Sequence, residues 1–541
     1  MVLYRKRNST NWICILIALV FVSNTVISHA NDIPRLQKKG DSTQLIVDDK
    51  PYVMLGGELH NSSATSLEYI ESGWEKLTTL NLNTVLVALT WETIEPEEGE
   101  FDFSLIDGII AQARDNNMKL VLLWFSSWKN AATTYAPAWV KTDLKRFPRT
   151  QDSEGNNLEH LSCLVEENSS ADARAYAAIM RHIKEIDSNY RTVLMMQIEN
   201  ESGLLTEARD RSDRADKAFA KQVPKELMDF LKKNQTQLSS EFKSIWDANV
   251  NRSEGTWNEV FGAEADEVFM TWYNAKYIGK VADAGKKEYP LPTFANAWQD
   301  GGNYTKAGEY PSGGPIAKMI PVWQAAAPNI DILAPDIYLP DFKGICDKYV
   351  SMGNPLLIPE ARASVANVFY AIAEHDAICY APFGIDGDRT TSDSPLKDAY
   401  GLLGDLMPFI TEYHGTGKMI GLNGARDEKR EIDLGDYHLV ISFEGQRGND
   451  LPGYGLIIAL DDGSYLAAGK GYNVQFLSKS KKSPRTAILS AHEMVCKDGE
   501  WSPRRWLNGD ETGYPPFEIH AGLRFRGSLP MVQKVTVYSH E

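Results

Sequence analysis

Between residues 52 and 405 the chain alternates short apolar runs with longer amphipathic segments, and this constrains its fold more than any other feature. The runs are Tyr52–Gly56, Asn83–Leu89, Lys119–Trp124, Val193–Ile198, Pro292–Ala297, Ile332–Tyr338, Pro355–Pro359 and Ile378–Phe383. Segments with helical spacing lie between them, among them Ser66–Leu80, Phe103–Asn116, Ala171–Ile186 and Val365–His375. A short apolar strand followed by an amphipathic helix is the unit of a parallel sheet. Eight such units close into a (β/α)8 TIM barrel, which needs roughly 250 residues. The surplus falls mainly at about residues 204–265, a charge-rich and helical insertion. It either projects from the C-terminal face of the barrel as a lid or side wall, or is a solvated insertion with no part in binding.

The pattern changes after about residue 410. Tyr437–Phe443, Gly455–Leu460, Asn473–Leu477, Thr486–Leu489 and Val532–Tyr538 read as strands, separated by turns such as Asp461-Asp462-Gly463 and Lys497-Asp498-Gly499. The expected class is therefore α/β: a barrel over residues 31–410, then a smaller all-β, sandwich-like domain over 411–541. Before the barrel, Gln44–Asp48 and Asp49-Lys50-Pro51 suggest a hairpin. Residues 1–30 read as a signal peptide, with Arg5, Lys6 and Arg7 ahead of an apolar stretch and Ser28-His29-Ala30 as a cleavage site. Export to the periplasm or the medium is expected, with no membrane span in the mature chain. Cys163, Cys346, Cys379 and Cys496 are widely spaced, which argues against a zinc site and for buried free thiols. A net charge of −17 and the absence of a long basic run argue against a nucleic-acid partner.

Chemistry in such a barrel sits at the C-terminal ends of the strands. The strand ends here carry Gly57-Glu58-Leu59-His60-Asn61, Trp91-Glu92, Trp124 to Asn130, Gln197-Ile198-Glu199-Asn200-Glu201, Trp298-Gln299-Asp300, Asp336-Ile337-Tyr338, Glu360-Ala361-Arg362 and Gly384-Ile385-Asp386. This is a mouth of carboxylates, amides and tryptophans, with almost no histidine and no metal-ligand spacing. No metal and no cofactor are expected. The inventory suits glycoside hydrolysis, which needs two carboxyls flanking an anomeric carbon. Carboxyls ending the fourth and seventh strands would face each other across the mouth, and a separation of about 5–5.5 Å would imply retention of configuration. Glu199 and Glu201 compete for the fourth-strand role, because residues two apart share a face of a strand. Glu201 is favoured as the one nearer the mouth. Trp91, Trp128 and Trp298 are candidates for stacking on sugar rings, and Glu58, Glu92, Lys129 and Asn130 for binding hydroxyls.

The Gln-x-Glu-Asn-Glu motif at 197–201 resembles the acid/base strand of clan A glycosidases, in particular the family 35 β-galactosidases. The stretch Trp91-Glu92-Thr93-Ile94-Glu95-Pro96-Glu97-Glu98-Gly99-Glu100-Phe101-Asp102-Phe103 is similar to one shared by families 35 and 42. The resemblance implies that Glu201 is the acid/base, Glu360 the nucleophile, Asn200 the amide that binds the sugar 2-hydroxyl, and Tyr338 a hydroxyl touching the nucleophile. It further implies an exo-acting retaining β-galactosidase on oligo- or polysaccharides. The single β-domain, the Glu-Ala-Arg after strand seven and the Trp-Lys-Asn after strand three depart from the better-known members. Another β-glycoside (a β-glucosaminide or β-glucoside), endo action, or a non-catalytic carbohydrate-binding barrel therefore stay open as alternatives.

Overall fold

The computed structural model describes residues 33–249, 252–446, 451–512 and 520–541. The signal-peptide reading of residues 1–30 lies outside the described residues. Eight parallel strands form a closed barrel, labelled β1 (Met54–Glu58), β2 (Thr84–Thr90), β3 (Lys119–Lys129), β4 (Val193–Asn200), β5 (Thr293–Trp298), β6 (Ile332–Ile337), β7 (Ile358–Ala361) and β8 (Cys379–Pro382). Each of the eight apolar runs contributes one strand. β3 runs on past Trp124 to Lys129 because Phe125 to Trp128 are also buried. The segment Ser66–Leu80 forms two short helices, Leu67–Glu71 and Trp74–Thr79, interrupted at Ser72-Gly73.

Inward side chains such as Leu86, Val121, Leu194, Phe294, Ile332 and Leu357 fill the lower barrel. Leu45 and Val47, from the lead-in sheet Arg35–Lys39, Ser42–Val47 and Lys50–Tyr52, join that cluster. Asp48 and Asp49 both have positive φ, at 51° and 59°, as a two-residue hairpin turn requires.

The insertion forms the helices Asp213–Phe219, Lys225–Lys233, Ser240–Asp247 and Trp257–Phe261. Its chain exchanges backbone hydrogen bonds with the loop after β5: Leu204 pairs with Ser312, and the Thr206 N–H donates to Gly308 C=O at 2.8 Å.

The C-terminal part is a sandwich of a six-stranded and a four-stranded antiparallel sheet. Leu422, Ile457, Ala467 and Val535 of one sheet meet Leu439, Val474, Phe476 and Leu523 of the other. The strands that join those read from sequence are Met419–Gly424, Lys429–Leu434, Tyr465–Lys470, Glu500–Trp506 and Ala521–Phe525. Cys163, Cys346, Cys379 and Cys496 are all free, and Cys496 is only half-buried. No helix among the described residues is long and apolar enough to cross a membrane.

The outer face of the six-stranded sheet presents Tyr454, Leu456, Ile458, Leu466 and Val532 to the barrel's outer core. It packs on the helix Val365–Glu374, which follows β7. Arg430 donates to both oxygens of Glu374, at 3.1 and 2.8 Å. The β-domain thus braces the unit that carries Glu360. Leu456→Ala is expected to lower stability by about 2–4 kcal/mol, as for a fully buried leucine. Urea unfolding followed by far-UV circular dichroism measures this, and a loss under about 0.5 kcal/mol would show that the contact contributes little.

Candidate active site

Backbone distortion in the barrel mouth gathers at the ends of β3 and β4: Asn130 and Ala131, just past β3, have φ of 51° and 54°. Glu199 and Glu201 both have positive φ, at 62° and 46°. For non-glycine residues this costs on the order of 1–3 kcal/mol each and concentrates at functional sites. The distortion separates two side chains that an undistorted strand would aim the same way. Glu199 turns into a sealed pocket beside β3. Its Oε1 lies 2.5 Å from Ser126 Oγ, and its Oε2 accepts the Trp128 N–H at 2.8 Å. Asp172 shares the pocket and accepts from Trp124 Nε1 and Ser127 Oγ, both at 2.9 Å. Burial first, then Asp172, push Glu199 well above the usual carboxylate range.

Glu201 turns instead into a cleft of about 640 Å³ at the barrel mouth. The wall comprises Asn61, Lys129, Asn130, Glu201, Trp298, Gln299, Tyr304, Asp336, Tyr338, Leu339, Glu360, Arg362 and Phe383. Carboxylate oxygens of Glu201, Asp336 and Glu360 all lie within 4.8 Å of one another. Glu360 is held from two sides: Asn200 Nδ2 donates to its Oε1 at 3.1 Å, and Tyr338 Oη to its Oε2 at 3.0 Å. Asn200 is itself oriented by Lys129, whose Nζ donates to its Oδ1 at 2.9 Å. Asn130 Nδ2 donates to Glu201 Oε2. Burial, then the charge of Glu360, push Glu201 up to about 8. One carboxyl is thus well supplied with donors while its neighbour keeps a proton, which is the division of labour that acid/base and nucleophilic roles require. The same three oxygens could bracket a cation, but Asn200, Tyr338 and Asn130 already supply hydrogen-bond donors to Glu201 and Glu360.

Glu58 lies beneath the cleft, almost fully buried, and neither oxygen has a donor among the described residues. Burial, followed by the charge of Glu360, raises it well above its usual range.

Five candidates read from sequence are not part of the cleft wall: Glu58 and Asn200, which act on it from behind, and Trp91, Trp128 and Glu92. Trp91 is fully buried; its Nε1 donates to Glu95 at 2.7 Å and its ring packs edge-on against Trp139. Trp128 is buried edge-on against Tyr277, 4.8 Å away. Both rings fill spaces between strands and helices that a polar side chain would leave void. Glu92 points outward and pairs with Lys141 at 3.0 Å. Trp298 does reach the cleft, edge-on to Tyr304. Among the described residues, the insertion contributes none to the cleft wall; it supports the loop after β5 that carries Tyr304.

Asp336 and Asn296 belong to the site; in the sequence Asp336 has only a place among the strand-end residues of the mouth, and Asn296 is not singled out. Asn296 Oδ1 accepts the Glu201 N–H at 3.0 Å, and its Nδ2 donates to Asp336 Oδ2 at 2.7 Å. Their signal was position alone, at the ends of β5 and β6.

The glycoside hydrolase family 42 model, described as "Beta-galactosidase", matches residues 61–277, and a domain of unknown function, DUF5597, matches 396–516. The first match takes in Asn200 and Glu201 and ends before Glu360. Family 42 is one of the two families that the motifs resemble. A curated β-galactosidase from Xanthomonas manihotis is 39% identical over 62 residues, which is 12% of this chain. The alignment spans only 10% of that relative's length. Similar solved structures include the β-galactosidase of Marinomonas ef1, at 12% identity and TM-score 0.44, covering 66% of this chain and 60% of that one. The catalytic domain of β-amylase from Paenibacillus polymyxa also matches, at 12% identity and TM-score 0.44, covering 61% and 92%.

The two glutamates of β4 should separate in stability. Glu199→Ala opens a sealed hydrogen-bonded pocket and is expected to cost about 3 kcal/mol. Glu201→Gln replaces a desolvated acid by a neutral amide and is expected to leave the melting temperature unchanged or raised. Differential scanning calorimetry reads both, and the reverse order would contradict this assignment.

Proposed function

We propose that this chain, a glycoside hydrolase by the domain that residues 61–277 carry, is a retaining exo-β-galactosidase. It releases non-reducing terminal β-galactosyl residues from oligo- or polysaccharides. The observation that carries the retaining reading is the approach of Glu201 and Glu360 oxygens to within 4.8 Å. Retaining enzymes hold their carboxyls about 5–5.5 Å apart; inverting enzymes leave roughly 6.5–9.5 Å for a water. The sugar is assigned from the β-galactosidase description that the family model and the curated relative share.

The steps follow from the site. Glu360, oriented by Asn200 and Tyr338, attacks the anomeric carbon as the glycosidic C–O bond breaks. Glu201 gives its proton to the departing oxygen. Water then attacks the same carbon, Glu201 takes the water's proton, and the bond to Glu360 breaks. Glycosylation removes the anionic neighbour that helps hold Glu201 up, so Glu201 becomes a stronger acid and readily serves as the base. Glu58, buried with no donor among the described residues, is matched to a sugar hydroxyl, and Trp298 and Tyr304 offer apolar ring surface at the mouth.

Glu360→Gln should abolish hydrolysis of aryl β-galactosides. Glu201→Gln should lose about 10²–10⁴-fold on substrates with poor leaving groups and much less on a dinitrophenyl galactoside. Azide should restore turnover to the Glu201 variant by giving an azide adduct. Full activity in Glu360→Gln would overturn the assignment. Because Glu201 must carry a proton in the free enzyme, kcat/KM should fall as pH rises through about 8. A basic limb near pH 5 would contradict the role given to burial.

A further inference from the structure

Asp336 is buried on β6, with a carboxylate oxygen within 4.8 Å of oxygens of both carboxyls of the proposed reaction. Its protonation can be worked out from its partners. The buried Glu201 N–H needs an acceptor and finds it in Asn296 Oδ1 at 3.0 Å. That fixes the Asn296 amide, since flipping it would set a donor against a donor. Asn296 Nδ2 therefore faces Asp336 Oδ2, and donates to it at 2.7 Å. Oδ2 is an acceptor, so a proton on Asp336 belongs on Oδ1. Oδ1 is the oxygen that is buried and lacks a donor among the described residues. As a carboxylate oxygen it would be a desolvated, unsatisfied acceptor; as O–H it becomes a donor, and the Asp336 and Glu201 carboxyls are hydrogen-bonding neighbours.

We propose that Asp336 is a positioning residue that works as a neutral acid, donating from Oδ1 to the Glu201 carboxylate and stabilising it as the base of the second step. This rests on the glycosidase reading above. The titratable groups that face Asp336 are Glu360 from β7, Glu201 from β4, Glu58 from β1, Lys129 from β3 and Tyr349 from the helix after β6, with Tyr338 on its own segment. Three are carboxyls and one is a cation, so the surroundings also favour the neutral form. Burial and these carboxyls raise Asp336 well above its usual range.

The test is the sign of a pH shift. A neutral donor favours the ionised form of Glu201, so removing it makes Glu201 a weaker acid. In Asp336→Ala the basic limb of kcat/KM for an aryl β-galactoside should move up by about half a pH unit or more. With a dinitrophenyl leaving group, kcat and KM should fall together by about tenfold, because the glycosyl-enzyme accumulates. Asp336→Asn keeps a neutral donor, and should return the limb to near the wild-type position and recover most of the rate. A limb that moves down in Asp336→Ala, or an Asn variant as impaired as the Ala variant, means that Asp336 acts as an anion and overturns the inference. Should Asp336→Ala fail to fold, the Asn variant decides: a limb at the wild-type position supports the inference and a displaced limb overturns it. If Glu360→Gln is inactive while the limb moves the wrong way, only this inference falls; if Glu360→Gln remains active, the glycosidase reading falls first.

Discussion

Desolvation of carboxyl groups is the constraint on which the rest of the site depends. Glu58, Glu201, Asp336 and Glu360 are all buried at one end of the barrel, with Lys129 as the buried ammonium among them. At an effective dielectric of about 20, two unit charges about 5 Å apart repel by roughly 3 kcal/mol. Four anions beside one cation cannot persist there, so the site must hold protons, and hydrogen bonds decide where. Glu360 has donors to both oxygens, from Asn200 and Tyr338. Among the described residues Glu58 has no donor, and Asp336 has a donor to one oxygen and none to the other. Glu201, which accepts from Asn130 and neighbours Asp336, sits between these extremes, which suits the acid/base role proposed for it.

The fold serves this arrangement by fixing backbone that would otherwise relax. The positive φ values of Glu199 and Glu201 are held by partners on neighbouring strands: Ser126 and Trp128 of β3 hold the first, and Asn296 of β5 holds the second. Ala131, just past β3, donates its N–H to the Glu201 C=O at 3.1 Å. On the opposite side, β7 is backed by the helix Val365–Glu374, and that helix by the β-sandwich through Leu456 and the Arg430–Glu374 pair. The insertion steadies the loop of Tyr304 from outside the cleft.

Much of this was legible in the chain. The eight apolar runs marked the barrel strands because strands covered on both faces need continuous hydrophobicity. The placement of Glu201 and Glu360 at opposed strand ends followed from the strand count. What stayed hidden depended on side-chain direction. A period of two puts Glu199 and Glu201 on one face, and only the left-handed backbone at both residues sends Glu199 into the Asp172 pocket. Trp91 and Trp128 have the composition of sugar-stacking residues, but burial between strands and helices took them out of reach. Asn296 and Asp336 matter through a relay of hydrogen bonds between strands five and six, and pairing of that kind leaves no local mark. In the sandwich, Tyr465–Lys470 is rich in Ala and Gly, and Glu500–Trp506 is an exposed edge strand carrying Pro503, Arg504 and Arg505. Neither has the alternating pattern of a half-buried strand.

The central claim is that Glu360 forms a covalent bond to the sugar. A 2-deoxy-2-fluoro-β-galactoside with a dinitrophenyl leaving group tests it most directly. The fluorine slows both steps and the leaving group restores the first, so the glycosyl-enzyme should accumulate. Peptide mass spectrometry of the inactivated protein is expected to find one fluorogalactosyl group, on the peptide containing Glu360. A label on Glu201, Asp336 or Glu58, or no label on an enzyme that hydrolyses the parent galactoside, would contradict the account.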